Sequence, residues 1–285
     1  MLSALLAATF AFTPADADIA YETARALVEE HTPRDSGTFQ SRRAAIFIKD
    51  AASAAGLDAN IDTFEAATPA GRRVFANVVG VFLRDRSLPW VVFVSHFDTK
   101  TGSKCPGAND GASTTGLLVA LANAVSTDRP ERVNVMFVWT DGEECMERYC
   151  SKDGLWGARR VAKAFKRRGM NVRAVVCLDM LGDRDLHIRI PQNTSSAFRR
   201  GALKLAAAMG LGDIVTEMSE LVKDDHAPFL EEGYKSLLLI DFDYGSRPGS
   251  NDYWHSAHDT MDKISRESLL VSGRFAAAIL KGLDK

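Results

Sequence analysis

Short apolar runs that alternate with amphipathic segments are the feature that most constrains this chain. Runs dense in β-branched and aromatic residues predict buried strands at residues 74–83, 90–94, 133–139, 172–180 and 236–242. Between and around them, apolar residues recur at helical spacing, which predicts helices at 20–30, 41–55, 111–124, 154–166, 195–209 and 265–283. Continuous apolar strands between amphipathic helices are typical of a mostly parallel sheet covered on both faces. We therefore expect an α/β fold with three layers, α/β/α, around a mostly parallel mixed central sheet.

The composition excludes several classes of partner. Lys and Arg number 35 against 37 Asp and Glu, so the chain has no basic field that would bind a nucleic-acid backbone. Membrane spans need roughly 18 to 20 consecutive apolar residues, and no stretch of the sequence reaches that length. The four cysteines show neither a zinc-finger spacing nor the density of a disulfide scaffold, so we expect free thiols. The chain also lacks a linker-like or repetitive segment, which predicts one domain over residues 18–285.

The N-terminus admits two interpretations. The apolar run at residues 2–12 is followed by the small-residue stretch 15–17, which resembles a signal peptide cleaved before Asp18. The same segment is short and lacks a basic start, which fits a first helix packed in the core or a start codon placed too early. The protein is secreted or periplasmic if residues 1–17 are a signal peptide, and cytoplasmic otherwise.

Polar side chains follow the predicted strands at the points where the strands end. Ligands of open α/β sheets gather at the carboxyl ends of the strands. We therefore expect these side chains to line one crevice, together with two residues from loops, one in an Asn-Asp-Gly turn and one in the last loop. The set consists of His96, Asp98, Asp110, Glu143, Glu144, Asp179 and His255.

Taken singly, each of these residues has an ordinary explanation as part of a turn, a helix cap or a charged surface. Taken together, they would bring several carboxylates into one crevice, where they would repel one another unless a cation neutralised them. Nitrogen and oxygen ligands suit zinc, which in catalytic sites takes about three protein groups and leaves one position open. The sequence therefore predicts a catalytic zinc site.

Six motifs occur in one order along the chain, namely HFDTK, GANDGAS, DGEE, LDM, DDHAPF and YWHSAHDT. From about Ile19 onward, the chain resembles the M28 superfamily of zinc aminopeptidases and glutaminyl-peptide cyclotransferases in these motifs. The resemblance implies a zinc-exopeptidase-like fold in which Asp110, Glu144 and His255 bind zinc. It also implies that Glu143 is the catalytic acid/base.

The same resemblance leaves the number of Zn2+ ions at one or two. His96 and Asp179 match positions that bind a second zinc in the two-metal aminopeptidases. Cyclotransferases keep both residues with one metal, so their presence does not decide the count.

Several details resemble the cyclotransferase branch more than the aminopeptidase branch. The stretch EECMERYCSKDGLWGARR is similar to that of animal-type glutaminyl cyclases, and HFDTK carries their lysine. Asp224 and Asp225 stand where aminopeptidases usually carry Ser-Asp. This similarity implies that Asp179 and Asp224 share a hydrogen-bond network with Glu143 during catalysis.

The resemblance also assigns supporting and substrate-binding residues. Trp254 precedes the last zinc ligand as it does in cyclases, and Tyr149 stands where those cyclases place a tryptophan, so both are expected to contact the substrate. Asp98, Asp225 and His226 are expected to support the ligands and the Asp224 loop from behind. The 241–253 loop departs from the cyclase pattern, since it is longer and more polar.

The expected activity is therefore conversion of an N-terminal glutamine to pyroglutamate. The expected substrate is a peptide or a small molecule with an N-terminal amine. The first alternative is an M28 aminopeptidase that hydrolyses N-terminal residues. The second is a zinc-binding or peptide-binding module without turnover. That second alternative leaves unexplained why Glu143 stands beside the ligand Glu144 without binding zinc itself.

Overall fold

The computed structural model describes residues 12–285, in which helices and strands alternate as the sequence predicts. The strands are β1 (Asp58–Thr68), β2 (Gly71–Phe82), β3 (Trp90–His96), β4 (Asn134–Thr140), β5 (Val172–Asp179), β6 (Ile188–Ile190), β7 (Val215–Glu217) and β8 (Ser236–Asp241). The α-helices are α1 (Pro14–Glu30), α2 (Phe39–Ala54), α3 (Thr114–Thr127), α4 (Trp156–Arg168), α5 (Ser196–Ala208), α6 (His226–Glu231) and α7 (Arg266–Leu283). A π-helical turn, Ala108–Ser113, precedes α3, and a 3-10 turn, Met261–Lys263, precedes α7.

All eight strands form one sheet, in the order β1-β2-β4-β3-β5-β8-β6-β7. Strands β4, β3, β5 and β8 run parallel at its centre, while β1 and β2 pair antiparallel at one side. Near the other side, β6 pairs antiparallel with β8 and parallel with β7. The predicted mostly parallel mixed sheet is therefore confirmed.

The two faces of the sheet bury separate apolar clusters, which gives the three predicted layers. Within β3, Val91 and Phe93 pack in the cluster that includes α1, α2, α3 and α7, whereas Val92 and Val94 pack against α4 and α6. Successive residues of a strand point to opposite faces, so an unbroken apolar run is needed to satisfy both layers.

Strand β1 is the largest element that the sequence pattern did not predict. Its residues alternate between exposed and half-buried along the whole strand, because β1 lies at the edge of the sheet and pairs only with β2 in the described structure. An edge strand needs few apolar residues, so its sequence, DANIDTFEAAT, lacks the apolar run that marks the central strands.

The helix predicted at 111–124 begins differently in the structure. The backbone leaves helical geometry at Asp110, with φ −81° and ψ 92°, and at Gly111, with φ 95°. The regular helix α3 follows from Thr114. The irregular turn directs Asp110 away from the helix and toward the ends of the neighbouring strands, which the helical spacing alone could not reveal.

Residues 1–11, which hold most of the predicted signal peptide, lie outside the described residues. Phe12 is buried, and Thr13 caps α1 by accepting a hydrogen bond from the backbone of Asp16. The predicted cleavage point before Asp18 falls within α1. Export stays a prediction.

The structure also bears on the cysteines and on membrane spans. All four cysteines are free thiols, as expected from the sequence. No helix within residues 12–285 is long and apolar enough to cross a bilayer.

The contact between α1 and α3 generates a stability prediction at Gly116. A methyl group at this position would lie 2.1 Å from the carbonyl oxygen of Ala20, so α1 would have to move. We expect Gly116→Ala to lower the free energy of unfolding by about 1–3 kcal/mol in urea titrations. Gly201→Ala in α5 is the matched control, because no atom lies within 4 Å of its added methyl group. Equal stabilities of the two variants would contradict close packing of α1 on α3.

Candidate metal and catalytic site

The parallel strands at the centre of the sheet deliver the predicted ligands to one edge. His96 is the last residue of β3, and Asp179 is the last residue of β5. Glu143 and Glu144 follow the end of β4 after a short turn. Because β3 and β4 pair in register, with His96 opposite Thr140, the side chains that follow both strands emerge at the same level. The side chains at and after the ends of β3, β4 and β5 thus line one crevice, as predicted.

Two groups of potential metal ligands meet in this crevice. Asp110, Glu144 and His255 form one group, and His96, Asp110 and Asp179 form the other, with all donor atoms of a group within 4.8 Å of one another. His255 Nε2 lies 2.7 Å from Glu144 Oε1 and 3.4 Å from Asp110 Oδ2. His96 Nε2 lies 3.1 Å from Asp179 Oδ1 and 3.2 Å from Asp110 Oδ1. Asp110 is common to both groups, so its carboxylate lies between the two.

The donor set fits a zinc ion. Asp110 Oδ2 is buried and accepts no hydrogen bond from any residue in the described structure, which is costly for a carboxylate oxygen unless a cation binds it. Two imidazoles and three carboxylates supply nitrogen and oxygen atoms of the type that zinc takes in catalytic sites. Asp110, Glu144 and His255 would hold one ion, and His96, Asp110 and Asp179 could hold a second.

A buried carboxylate, that of Asp259, holds the turn that carries Asp110. It accepts hydrogen bonds from the backbone N–H groups of Asn109, at 2.7 Å, and of Asp110, at 3.1 Å. The hydroxyl of Tyr244 donates to the same carboxylate at 2.7 Å. The position after Asp110 favours glycine, because the φ of Gly111, 95°, is left-handed and a methyl group there would lie 3.1 Å from the Asp98 carbonyl oxygen.

The carboxylate of Asp98 holds the glutamate turn in the same way. Its two oxygens accept from the backbone N–H groups of Glu143 and Glu144, each at 3.1 Å, and Ser36 Oγ donates to Oδ2 at 2.5 Å. The backbone carbonyl oxygen of Asp98 lies 3.1 Å from His96 Nδ1, which leaves Nε2 directed at the other ligands. Asp98 therefore orients three site residues at once, in agreement with the supporting role predicted for it.

The site concentrates negative charge away from water. Burial raises the pKa of Glu143 well above its ordinary value, and the carboxylate of Glu144 raises it further. Burial, followed by the charge of Asp110, raises the pKa of Glu144 to about 7. Burial is the largest single influence on His255 and opposes its protonation, but the hydrogen bond to Glu144 and the charges of Glu144 and Asp110 together outweigh it and raise the pKa of His255. Each shift follows from burial, hydrogen bonding and the charges of neighbouring groups.

The Asp224-Asp225-His226 segment packs behind the ligands. Asp224 is buried in the cavity wall, where burial and the neighbouring Asp179 raise the pKa of its carboxyl group well above the ordinary value. Asp225 accepts a hydrogen bond from the hydroxyl of Thr140 at the end of β4. His226 begins α6 fully buried, and burial lowers its pKa to about 4, which keeps the imidazole neutral. Neither group of potential metal ligands includes His226.

A cavity of about 370 Å³ opens in front of the ligands. Tyr149 and Trp254, predicted to contact substrate, both line it. The hydroxyl of Tyr149 donates to Glu143 Oε2 at 3.0 Å, and the Trp254 ring stacks on His255 with 3.9 Å between centroids. The remaining apolar wall consists of Met218, Leu221, Val222, Ile240 and Phe242. The cavity thus has carboxylates at its floor and apolar side chains along its wall. Its volume suits one amino-acid side chain.

Sequence reasoning missed Asp259, Ser36 and Tyr244. Asp259 lies in the YWHSAHDT motif, four positions after His255, but no local signal connects it with a turn about 150 positions earlier in the chain. His255 itself has a left-handed backbone, with φ 54°, which is uncommon for a residue with a side chain and recurs at functional sites. The contact of Asp259 with this turn and the backbone conformation of His255 are visible only in the three-dimensional structure.

A protein-family model and proteins from two animals match this chain over most of its length. The model of Peptidase family M28 matches residues 77–280. A bovine glutaminyl-peptide cyclotransferase-like protein is 26% identical over 288 residues, a match that covers 90% of this chain and 73% of the bovine protein. The glutaminyl-peptide cyclotransferase of Drosophila melanogaster is 25% identical, with 81% of this chain and 72% of the fly protein covered.

Solved structures give the same assignment of fold. A glutaminyl cyclase from an Acidobacteriales bacterium is 31% identical and superposes with a TM-score of 0.87, with 94% of each chain covered. A leucine aminopeptidase precursor from Bacteroides thetaiotaomicron has a TM-score of 0.80 at 22% identity, with 92% of this chain and 96% of that chain covered. The second likeness concerns the fold alone. The zinc-exopeptidase-like architecture is therefore shared by proteins named for two different reactions.

The Asp259 contacts predict that this residue controls metal affinity without binding metal. In Asp259→Asn, the amide nitrogen replaces one acceptor, so one backbone N–H of the Asp110 turn loses its partner. We expect a loss of about 1–3 kcal/mol in unfolding free energy. Zinc affinity, measured by chelator competition, should fall about 10- to 100-fold.

The matched control for that prediction is Asp284→Asn. Asp284 accepts from the backbone N–H groups of Glu131 and Arg132, at 2.9 and 2.6 Å, and is not among the cavity-lining residues. Its variant should keep the zinc affinity of the wild type. Unchanged zinc affinity in Asp259→Asn would contradict the positioning role.

Proposed function

Because this chain belongs to peptidase family M28, we propose that it is a zinc-dependent glutaminyl-peptide cyclotransferase. The reaction converts the N-terminal glutamine of a peptide to pyroglutamate and releases ammonia. Relatives named for this activity support the proposal at 25–26% identity, and a solved glutaminyl cyclase supports it at 31%. The geometry of the site adds independent support from the chain's own residues.

The zinc ion would be held by Asp110, Glu144 and His255, and it would supply Lewis-acid polarisation of the substrate's γ-carbonyl group. Asp259 and Asp98 would keep the ligand turns in place through their backbone contacts. Elemental analysis of the zinc-loaded protein distinguishes one ion per chain from two, the second bound through His96 and Asp179.

The protein's own contribution to the reaction is proton transfer at Glu143. In the cyclisation, the substrate's α-amine nitrogen forms a bond with the side-chain carbonyl carbon, and the bond from that carbon to the amide nitrogen breaks. Glu143 would accept the proton that the α-amine loses and deliver it to the departing nitrogen as ammonia. The hydroxyl of Tyr149, 3.0 Å from Glu143 Oε2, would hold the carboxylate in the orientation that this transfer needs.

The observation that carries the choice of cyclisation is the buried aspartate at position 224. Asp224 lies in the wall of the cavity, near both Asp179 and Glu143, so the carboxylates influence one another's charge. A cluster of this kind retains a shared proton at higher pH than an isolated carboxylate does. Such a proton store suits a reaction in which a proton moves between two nitrogens of one residue without an intervening water molecule.

An M28 aminopeptidase is the second candidate function. It is favoured by Asp110, whose carboxylate belongs to two groups of potential ligands, because a shared carboxylate is what a pair of metal ions needs. In that reaction, Glu143 would take a proton from a water molecule, which would attack the first peptide bond. The two candidates differ in the product that they form from the same peptide.

Wild-type protein loaded with zinc should release ammonia from a Gln-initiated peptide and leave a Leu-initiated peptide intact, as followed by mass spectrometry. Asp224→Ser should keep its zinc, because Asp224 belongs to neither group of potential ligands. Its rate of pyroglutamate formation should fall at least about tenfold, or roughly 1.4 kcal/mol in transition-state stabilisation. Release of leucine, with no cyclisation and with Asp224→Ser equally active, would replace the proposal by the aminopeptidase.

Glu143 and Glu144 should respond differently to the same substitution. Glu143→Gln removes the proton carrier and should lower the rate by about two to four orders of magnitude with zinc content unchanged. Glu144→Gln, the matched variant one residue away, should lose zinc. Zinc loss in Glu143→Gln and retention in Glu144→Gln would exchange the two roles.

A further inference from the structure

The cavity of the candidate site adjoins a second cleft, which the proposed chemistry does not use. This adjoining cleft has a volume of about 420 Å³ and shares three wall residues with the cavity, Met218, Glu220 and Phe242. It is lined further by Arg189 of β6, Glu217 of β7 and Asp243 of the loop after β8. The two spaces are therefore neighbours, with these three residues at their common boundary.

Most charges of the adjoining cleft are already paired. Arg189 donates from Nε to Asp243 Oδ2 at 2.9 Å and from Nη1 to Thr216 Oγ1 at 2.9 Å. Glu217 Oε1 lies 2.9 Å from Arg199 Nε. These pairs fix the walls of the cleft, and they leave little net charge for a ligand to recognise.

Glu220 is the exception. Its carboxylate is exposed at the wall common to both spaces, and no Lys, Arg or His within residues 12–285 forms an ion pair with it. Lys223, the cation on the same loop, lines the cavity and not the cleft, and its ammonium group donates to the Tyr149 carbonyl oxygen at 3.3 Å. The uncompensated charge at the boundary between cavity and cleft is therefore negative.

A peptide substrate would extend beyond the cavity that holds its first residue. Only its first residue reacts, and an extended chain advances about 3.3–3.6 Å per residue, so the third residue lies about 7 Å beyond the first. The half-buried side chains of Met218 and Phe242 line both spaces and offer apolar contact there, and Glu220 offers a charge.

We propose that the adjoining cleft binds the second and third residues of the peptide and that Glu220 selects a lysine or arginine there over an acidic residue. The inference rests on the proposed function for the identity of the first residue. A solvent-exposed ion pair of this kind alters affinity by about two- to fivefold.

The test compares Gln-initiated peptides that carry Lys, Ala or Glu at the second or the third position. With wild-type protein, KM should be lowest for the Lys peptides and highest for the Glu peptides, about two- to fivefold apart at each step, with kcat nearly constant. Raising the ionic strength should shrink the difference, because salt screens exposed charges. In Glu220→Gln, the KM values of Lys and Glu peptides should converge.

Glu131→Gln is the matched control, since Glu131 is exposed and lies before β4, at the end of the sheet opposite the site. It should keep the wild-type order of KM values. An order that is absent in the wild type at both positions, or that persists in Glu220→Gln, would overturn the inference. If no Gln-initiated peptide is cyclised, the proposed function fails, and calorimetric binding of the same peptides to the zinc-loaded protein then tests the cleft by itself. Preferential binding of the Lys peptides, lost in Glu220→Gln, would support the cleft, and equal binding would overturn it.

Discussion

Two buried carboxylates, each accepting two successive backbone N–H groups, are the interactions on which the candidate site depends. Asp98 holds the glutamate turn and Asp259 holds the Asp110 turn. A buried carboxylate is stable only when hydrogen bonds compensate its lost hydration, and backbone N–H groups supply that compensation with fixed geometry. The ligands are therefore positioned by charges that do not themselves belong to either ligand group. Without these two anchors, the strand ends would bring the acidic residues near one another but would not orient them.

Much of the architecture follows from the sequence, because apolar runs and strand ends carry a local signal. The buried strands β3, β4 and β5 are almost wholly apolar, and His96, Glu144 and Asp179 follow from where those runs stop. Strand β1 has no such signal, since its stability comes from pairing with β2 at an exposed edge. The two anchoring aspartates also differ in how far the sequence reveals them. Asp98 lies just after the end of β3, whereas Asp259 binds a turn about 150 positions earlier in the chain.

The fold does not choose the reaction by itself. Proteins named glutaminyl cyclase and leucine aminopeptidase superpose on this chain with TM-scores of 0.87 and 0.80. The reaction that such a fold performs therefore depends on individual side chains of its site. In this chain, Asp224, Tyr149 and Trp254 line the cavity beside the two groups of potential ligands.

The backbone anchoring of the two ligand turns has a consequence for substitutions in the cavity wall. Every residue type except proline carries the N–H group that Asp98 and Asp259 bind, so the anchors place few demands on the side chains of the turns that they hold. Substitutions in the cavity wall therefore leave both sets of backbone contacts in place. The surface that faces a substrate can therefore change without moving the turns that carry Asp110, Glu143 and Glu144.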